Sequence, residues 1–211
     1  MYRRMSLLAV FLLLLSVPVF AEELSQQVTR LVDANDADGL RALGDDGITS
    51  MVWLYELSEE SGRIHIANLF SKMAVQSDSA ERALLRDFLS PNLELRLAVQ
   101  NALGRVSSNP MVVETLLYTL ENDRNPLVRD KAAAALAYDQ IHLNEQEKVR
   151  IYEGLIEALS NPEPQVRAVS IQALSILTGQ TKGFHPLYPE DRRERSIAMW
   201  QHWLEEHRTR L

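Results

Sequence analysis

The chain has 211 residues, 46% of them hydrophobic, with 29 acidic against 22 basic side chains and a formal net charge of −7. That balance excludes the broad basic face that nucleic-acid phosphates require. The absence of cysteine excludes a disulfide framework, a thiolate nucleophile and a lipid-modified cysteine.

The first element is an export signal. Met1-Tyr2-Arg3-Arg4-Met5 is a short basic stretch, Ser6 to Phe20 is almost uninterrupted apolar sequence broken by Pro18, and Val19-Phe20-Ala21 precedes Glu22-Glu23. This order reads as a Sec-type signal peptide over residues 1–21, cut after Ala21. The apolar run is shorter than the ~20 residues of a spanning helix, and an uncleaved inner-membrane anchor is the alternative. Arg3-Arg4 also admits a twin-arginine reading, although Ser6 stands where that motif usually has a phenylalanine. Cleavage removes two arginines and no acid, leaving 190 residues with a net charge of −9. The expected location is the periplasm or the exterior.

Residues 22–45 are expected to form an N-terminal helical cap, with Leu24, Val28, Leu31 and Val32 on one face and a loop at Asn35-Asp36. From 46 to 179 the sequence repeats itself. Leu95-Arg96, Val128-Arg129 and Val166-Arg167 each precede an Ala-Leu pair that begins six residues after the arginine, and the arginines are 33 and 38 residues apart. In each unit the spacing i, i+4, i+7, i+8 defines one helical face: Leu95, Val99, Ala102, Leu103; then Val128, Ala132, Ala135, Leu136; then Val166, Ser170, Ala173, Leu174. A weaker unit begins at Gly62-Arg63, with Ile66, Leu69 and Phe70. A first helix precedes each, with expected core sets Trp53-Leu54-Leu57, Leu84-Leu85-Phe88, Leu116-Leu117-Leu120 and Leu155-Ile156-Leu159. Asn109-Pro110, Asn125-Pro126 and Asn161-Pro162 are read as helix starts, a capping side chain before a proline. Units of this length cannot bury their apolar face alone and must stack. The expected fold is therefore all-α, an α-solenoid of four helical hairpins. Residues 180–211 add an aromatic loop (Phe184, Tyr188) and a charged capping helix with Ile197, Trp200, Trp203 and Leu204 on one stripe.

Units with Asn-Pro in a turn, then Val-Arg, then Ala-Ala-x-x-Leu resemble HEAT-type repeats of the PBS-lyase HEAT-like group, most closely in Asn125-Pro126-Leu127-Val128-Arg129-Asp130-Lys131-Ala132-Ala133-Ala134-Ala135-Leu136. With its terminal Leu-Thr-Gly turn and paired tryptophans, the chain is similar to exported bacterial HEAT-repeat proteins. The resemblance implies that Arg96, Arg129 and Arg167 form a structural ladder between units, with Arg63 a less regular member because Gly62 precedes it. It also implies a concave surface lined by second helices, where Gln100, Lys131, Ala134 and Gln172 are the candidate binding positions.

Catalytic chemistry has little footing. His202 and Glu206 are four apart but lack a third ligand, and His65, His142, His185 and His207 belong to no nucleophile or metal pattern. No catalytic residue, metal or cofactor is assigned. Trp200-Trp203 reads as a cap, with sugar stacking as the alternative. The function expected is a non-catalytic periplasmic adaptor or scaffold for other proteins of the cell envelope, binding neither nucleic acid nor, after signal cleavage, membrane. An enzyme of the bilin-lyase type and a purely structural envelope component are the alternatives.

Overall fold

The computed structural model describes residues 22–211, so the signal segment read over residues 1–21 lies outside the described residues. The described chain is all-α, without strands among these residues. Helix α1 covers 22–33. It is followed by α2 (Ala37–Ala42), α3 (Gly44–Leu57), α4 (Glu60–Met73), α5 (Asp78–Arg86), α6 (Leu93–Val106), α7 (Pro110–Asn122) and α8 (Pro126–Ala134). A π-turn (Ala135–Asp139) continues α8, and then come α9 (Glu145–Ala158), α10 (Pro164–Thr178) and α11 (Glu190–Arg208).

Most starts are set by short polar side chains that take over otherwise unbonded backbone N–H groups. Asp36, Ser77, Asn92, Asn109 and Asn125 each accept such a bond, and Asn144 forms a reciprocal capping box with Glu147. Pro110 and Pro126 open α7 and α8 as the sequence suggests. Asn161-Pro162 does not open α10: Asn161 accepts from the Glu163 N–H in the preceding turn, and Pro164 is the first helical residue. A second proline two residues later moves the start, because either ring satisfies the first helical position equally well. Gly179 ends α10 at φ +71°, a left-handed backbone for which glycine has no steric penalty.

Helices pair along the chain, α3 with α4, α5 with α6, α7 with α8, and α9 with α10. The even-numbered members pack side by side from α4 to α10, while α3 meets α5, α7 meets α9, and α9 meets α11. Two layers result, with one apolar core running between them. The twelve residues of the repeated second-helix face are all buried, each fully buried Leu or Val contributing about 1.5–3 kcal/mol through water exclusion. Close approach is built into the sequence: a Cβ at Gly154 on α9 would run into Leu117 on α7.

The first-helix register differs from the expectation at one place. Trp53 and Leu57 are 63% and 81% exposed, and α3 instead buries Met51 and Tyr55. Met51 and Tyr55 stand 33 residues before the buried Leu84 and Phe88, a correspondence that the bulkier Trp-Leu pair had masked.

At the N-terminal end α1 buries Val28 and Val32 and, with α2, covers α4: His65 Nε2 lies 2.8 Å from the Val32 carbonyl and Arg41 donates to the Met73 carbonyl at 3.0 Å. Helix α2 is an element that the sequence did not suggest. At the other end α11 lies on α9 with Trp200 and Leu204 buried, and the loop before it buries Phe184.

Candidate functional site

The even-numbered helices turn one face to the core and leave the opposite face open. Registering each helix on its arginine shows which residues share that face. One position after the arginine come Ile64, Leu97, Asp130 and Ala168; five positions after it come Asn68, Asn101, Ala134 and Gln172. The two positions lie about one turn apart, and none of these residues is fully buried. A groove of about 400 Å³ crosses α4, α6 and α8, walled by Ile64, Leu97, Ala98 and Leu127 and edged by Asn68, Asn101, Glu94, Asp130 and Lys131. A smaller depression of about 60 Å³ continues between α8 and α10, against Ala134, Tyr138, Val169, Gln172 and Ile176.

Three of the four candidate binding positions therefore line this surface: Lys131, Ala134 and Gln172. Gln100 does not. It is fully buried, four rather than five positions after its arginine, and equivalent to the buried Ala67, Ala133 and Ile171. One residue of helix is about 100° of rotation, enough to move a side chain from the open groove into the buried interior. The groove residue at that level is Asn101, whose Nδ2 donates to Ser71 Oγ at 2.9 Å.

The arginines run along the edge where the two layers are joined by turns. Arg129 is the most completely bonded across helix pairs. It donates to the Asp123 carbonyl and to Glu163 Oε1, each at 2.8 Å, and its Nε also bonds Gln165 Oε1. Arg167 donates to the Asn161 and Pro162 carbonyls at 2.7 and 2.8 Å and to Pro186 O at 2.6 and 2.9 Å, holding the aromatic loop against α10. Arg96 donates to the Ser90 carbonyl at 2.7 Å but stands 3.9 Å from Asp123. Arg63 has the same placement, bonding both oxygens of Asp87 at 3.0 and 3.1 Å, with the Tyr55 hydroxyl adding a third bond at 2.6 Å. Burial first, then Asp87, pushes the Tyr55 hydroxyl far above the usual phenol range.

The remaining chemistry-bearing side chains are engaged in packing. Trp203 stacks on His207 with centroids 4.9 Å apart, and Tyr152 meets both edge-on. Burial, with Glu145 second, raises the Tyr152 hydroxyl to about 12. His142 lies 2.9 Å from the Arg105 carbonyl, the His185 ring accepts from the Leu187 N–H, and His202 pairs with Glu206 on the exposed side of α11. Glu121 is held above the usual carboxylate range by burial and then by Glu157. Among the described residues no three His, Cys, Asp or Glu side chains converge as a metal site, and no helix is long and apolar enough to cross a membrane.

On the opposite, odd-numbered layer, Trp53 and Tyr118 occupy equivalent positions on α3 and α7 and are both exposed, as is Leu89. The sequence signal for this row was the same repeat register that places Met51 in the core. No family model matches the chain, and no curated protein matches it.

Proposed function

We propose that the two-layer helical stack is a HEAT-type α-solenoid of four hairpins, working outside the cytoplasm as a non-catalytic adaptor. Its even-numbered helices hold a segment of another cell-envelope protein. The observation that carries this reading is the open groove crossing α4, α6 and α8, where Ile64, Leu97, Ala98 and Leu127 form an apolar floor between polar edges. Such a surface, apolar along its length and flanked by Asn68, Asn101, Glu94 and Lys131, suits an extended segment or helix of a protein, with side chains in the groove and polar groups at the rim. The regular placement of the arginines fits a structural role for Arg96, Arg129 and Arg167, with Arg63 added. The acidic balance of the chain and its signal-like first 21 residues support an exported protein.

Affinity capture from an envelope extract tests the proposal. Leu97→Glu and Leu127→Glu, each placing a charge on the groove wall, are expected to abolish retention of whatever the unaltered protein captures. Trp53→Glu on the opposite layer is expected to leave it intact. Retention indifferent to both groove substitutions would overturn the reading.

A further inference from the structure

The joint between the α5–α6 and α7–α8 pairs is built differently from its neighbours. At the joint before it, Arg63 grips both oxygens of Asp87 through Nη1, although its Nε too is buried without a partner. At the joint after it, Arg129 bonds Glu163, and Arg150 forks Glu114 at 2.5 and 2.9 Å. At the middle joint, Arg96 stops 3.9 Å short of Asp123, and its Nε is shielded from solvent without a partner. Four residues along α6, the side-chain oxygen and nitrogen of the fully buried Gln100 are both unbonded, at the position where other helices carry Ala67, Ala133 and Ile171. Five residues further, Arg105 Nε is also buried and unpartnered, while its Nη1 makes only a long 3.3 Å contact with Asp139.

The layers differ at this joint too. Helices α3 and α5 pack directly, as do α7 and α9, but α5 and α7 make at most a marginal contact. A groove of about 320 Å³ lies alongside the C-terminal end of α7, between Tyr118 and Arg124 on one side and Leu89, in the turn after α5, and Arg96, on α6, on the other. In the even layer the same joint is tight: a Cβ at Gly104 would come within 2.8 Å of the Asp139 Cβ. One layer is closed and the other is ajar.

Buried polar groups are ordinarily bonded, and leaving one unbonded is costly. Three of the side chains with such atoms lie on α6, beside the joint whose odd-numbered helices do not pack directly, and an arrangement that gives them partners would compete with this one. We infer that the α6–α8 joint is a hinge, about which residues 22–106 and 110–211 swing as two blocks. Gly104 against Asp139 is the pivot and Arg96 with Asp123 is the latch. A closing shift of about 1 Å at the latch brings Arg96 Nε within bonding distance of the carboxylate. Glu81 accepts bonds from both Ser107 and Asn109, so the turn between the blocks stays tied to the first block and the swing begins beyond it. The groove over α4, α6 and α8 crosses the same joint, so the swing also changes its width. That consequence rests on the adaptor reading; the hinge does not.

Because the chain has no cysteine, spin labels can be placed cleanly on the whole protein and distances read by pulsed electron–electron double resonance. Arg82→Cys with Met111→Cys spans α5 and α7; Met111→Cys with Gln146→Cys spans α7 and α9 and is the control. The expected result is two components, or one broad distribution, across α5 and α7, against a single narrow distribution for the control. Asp123→Asn, which weakens the latch, is expected to remove the shorter component. Gln100→Ala, which removes the group seeking a partner, is expected to do the same. Equal narrow distributions at both joints, or a short component that survives both substitutions, would overturn the hinge. Neither readout depends on a bound partner, so a failed capture experiment leaves this test unaffected.

Discussion

Replacing Arg129 with alanine is the sharpest perturbation of the stack. The side chain is 91% buried and joins α8 to the turn before it and to the start of α10. Its bond to Glu163 contributes least, because that carboxylate is half exposed and regains water when the arginine is gone. The bond to the Asp123 carbonyl and the contact with Gln165 are lost from a less hydrated setting. The summed cost is about 2–4 kcal/mol, in line with charge-assisted bonds whose acceptors are left wanting. With a urea dependence of about 2 kcal/mol per molar, the unfolding midpoint falls by about 1–2 M. Arg129→Lys keeps the charge but not the planar fork and is expected to lie between the two. Lys131, two residues away, is half-buried and makes no hydrogen bond or ion pair among the described residues. Lys131→Ala is expected to change stability by no more than about 0.5 kcal/mol. Equal urea midpoints for Arg129→Ala and Lys131→Ala would refute the argument that the arginine bridges units.

Two further substitutions probe the ends and the joint. Trp200 is fully buried on the inward face of α11 whereas Trp53 is exposed, so Trp200→Ala is expected to cost about 3–5 kcal/mol and Trp53→Ala about 0.5 kcal/mol or less. Thermal melts of the two variants compare them directly, and similar losses would contradict the capping role of α11. Asp139 carries a carboxyl raised above its ordinary value by burial, with Arg105 and Lys131 pulling the other way. Its folded form therefore holds a proton more tightly than the unfolded chain. As pH falls through that raised value towards the ordinary carboxylate range, the unaltered protein gains stability relative to Asp139→Asn. Urea midpoints of the pair at descending pH read this out, and a difference that stays constant or moves the other way would count against it.

Much of this fold is legible in the sequence because its physical cause is local and repeated. A helical face recurring at intervals of 33 and 38 residues announces both the second helices and their buried side, and Asn109-Pro110 and Asn125-Pro126 announce two starts. Two misreadings, apart from the start of α10 and the unforeseen α2, are register errors of a residue or two. Trp53 and Leu57 looked more like core than Met51 and Tyr55, and Gln100 was named for the binding face where Asn101, five positions after its arginine, is the equivalent of Ala134 and Gln172. On a helix such slips reverse the environment, turning groove into core. The π-turn at Ala135–Asp139 had no signal in the sequence, since its residues are compatible with ordinary helix; it ends where Asp139 comes close to Gly104. What the open face would hold was least legible, because a surface that mixes Ile64, Leu97 and Leu127 with Asn68, Asn101 and Lys131 records its shape more than an occupant.

The account rests on which layer faces a partner, and photocrosslinking in living cells addresses that directly. A photoreactive side chain placed at Asn68 or Leu127 on the even-numbered layer, or at Trp53 or Tyr118 on the opposite layer, reports what lies against each face. The account predicts discrete protein adducts in the envelope fraction from Asn68 and Leu127 and none from Trp53 or Tyr118. Adducts confined to Trp53 and Tyr118, or equal at all four positions, would contradict it.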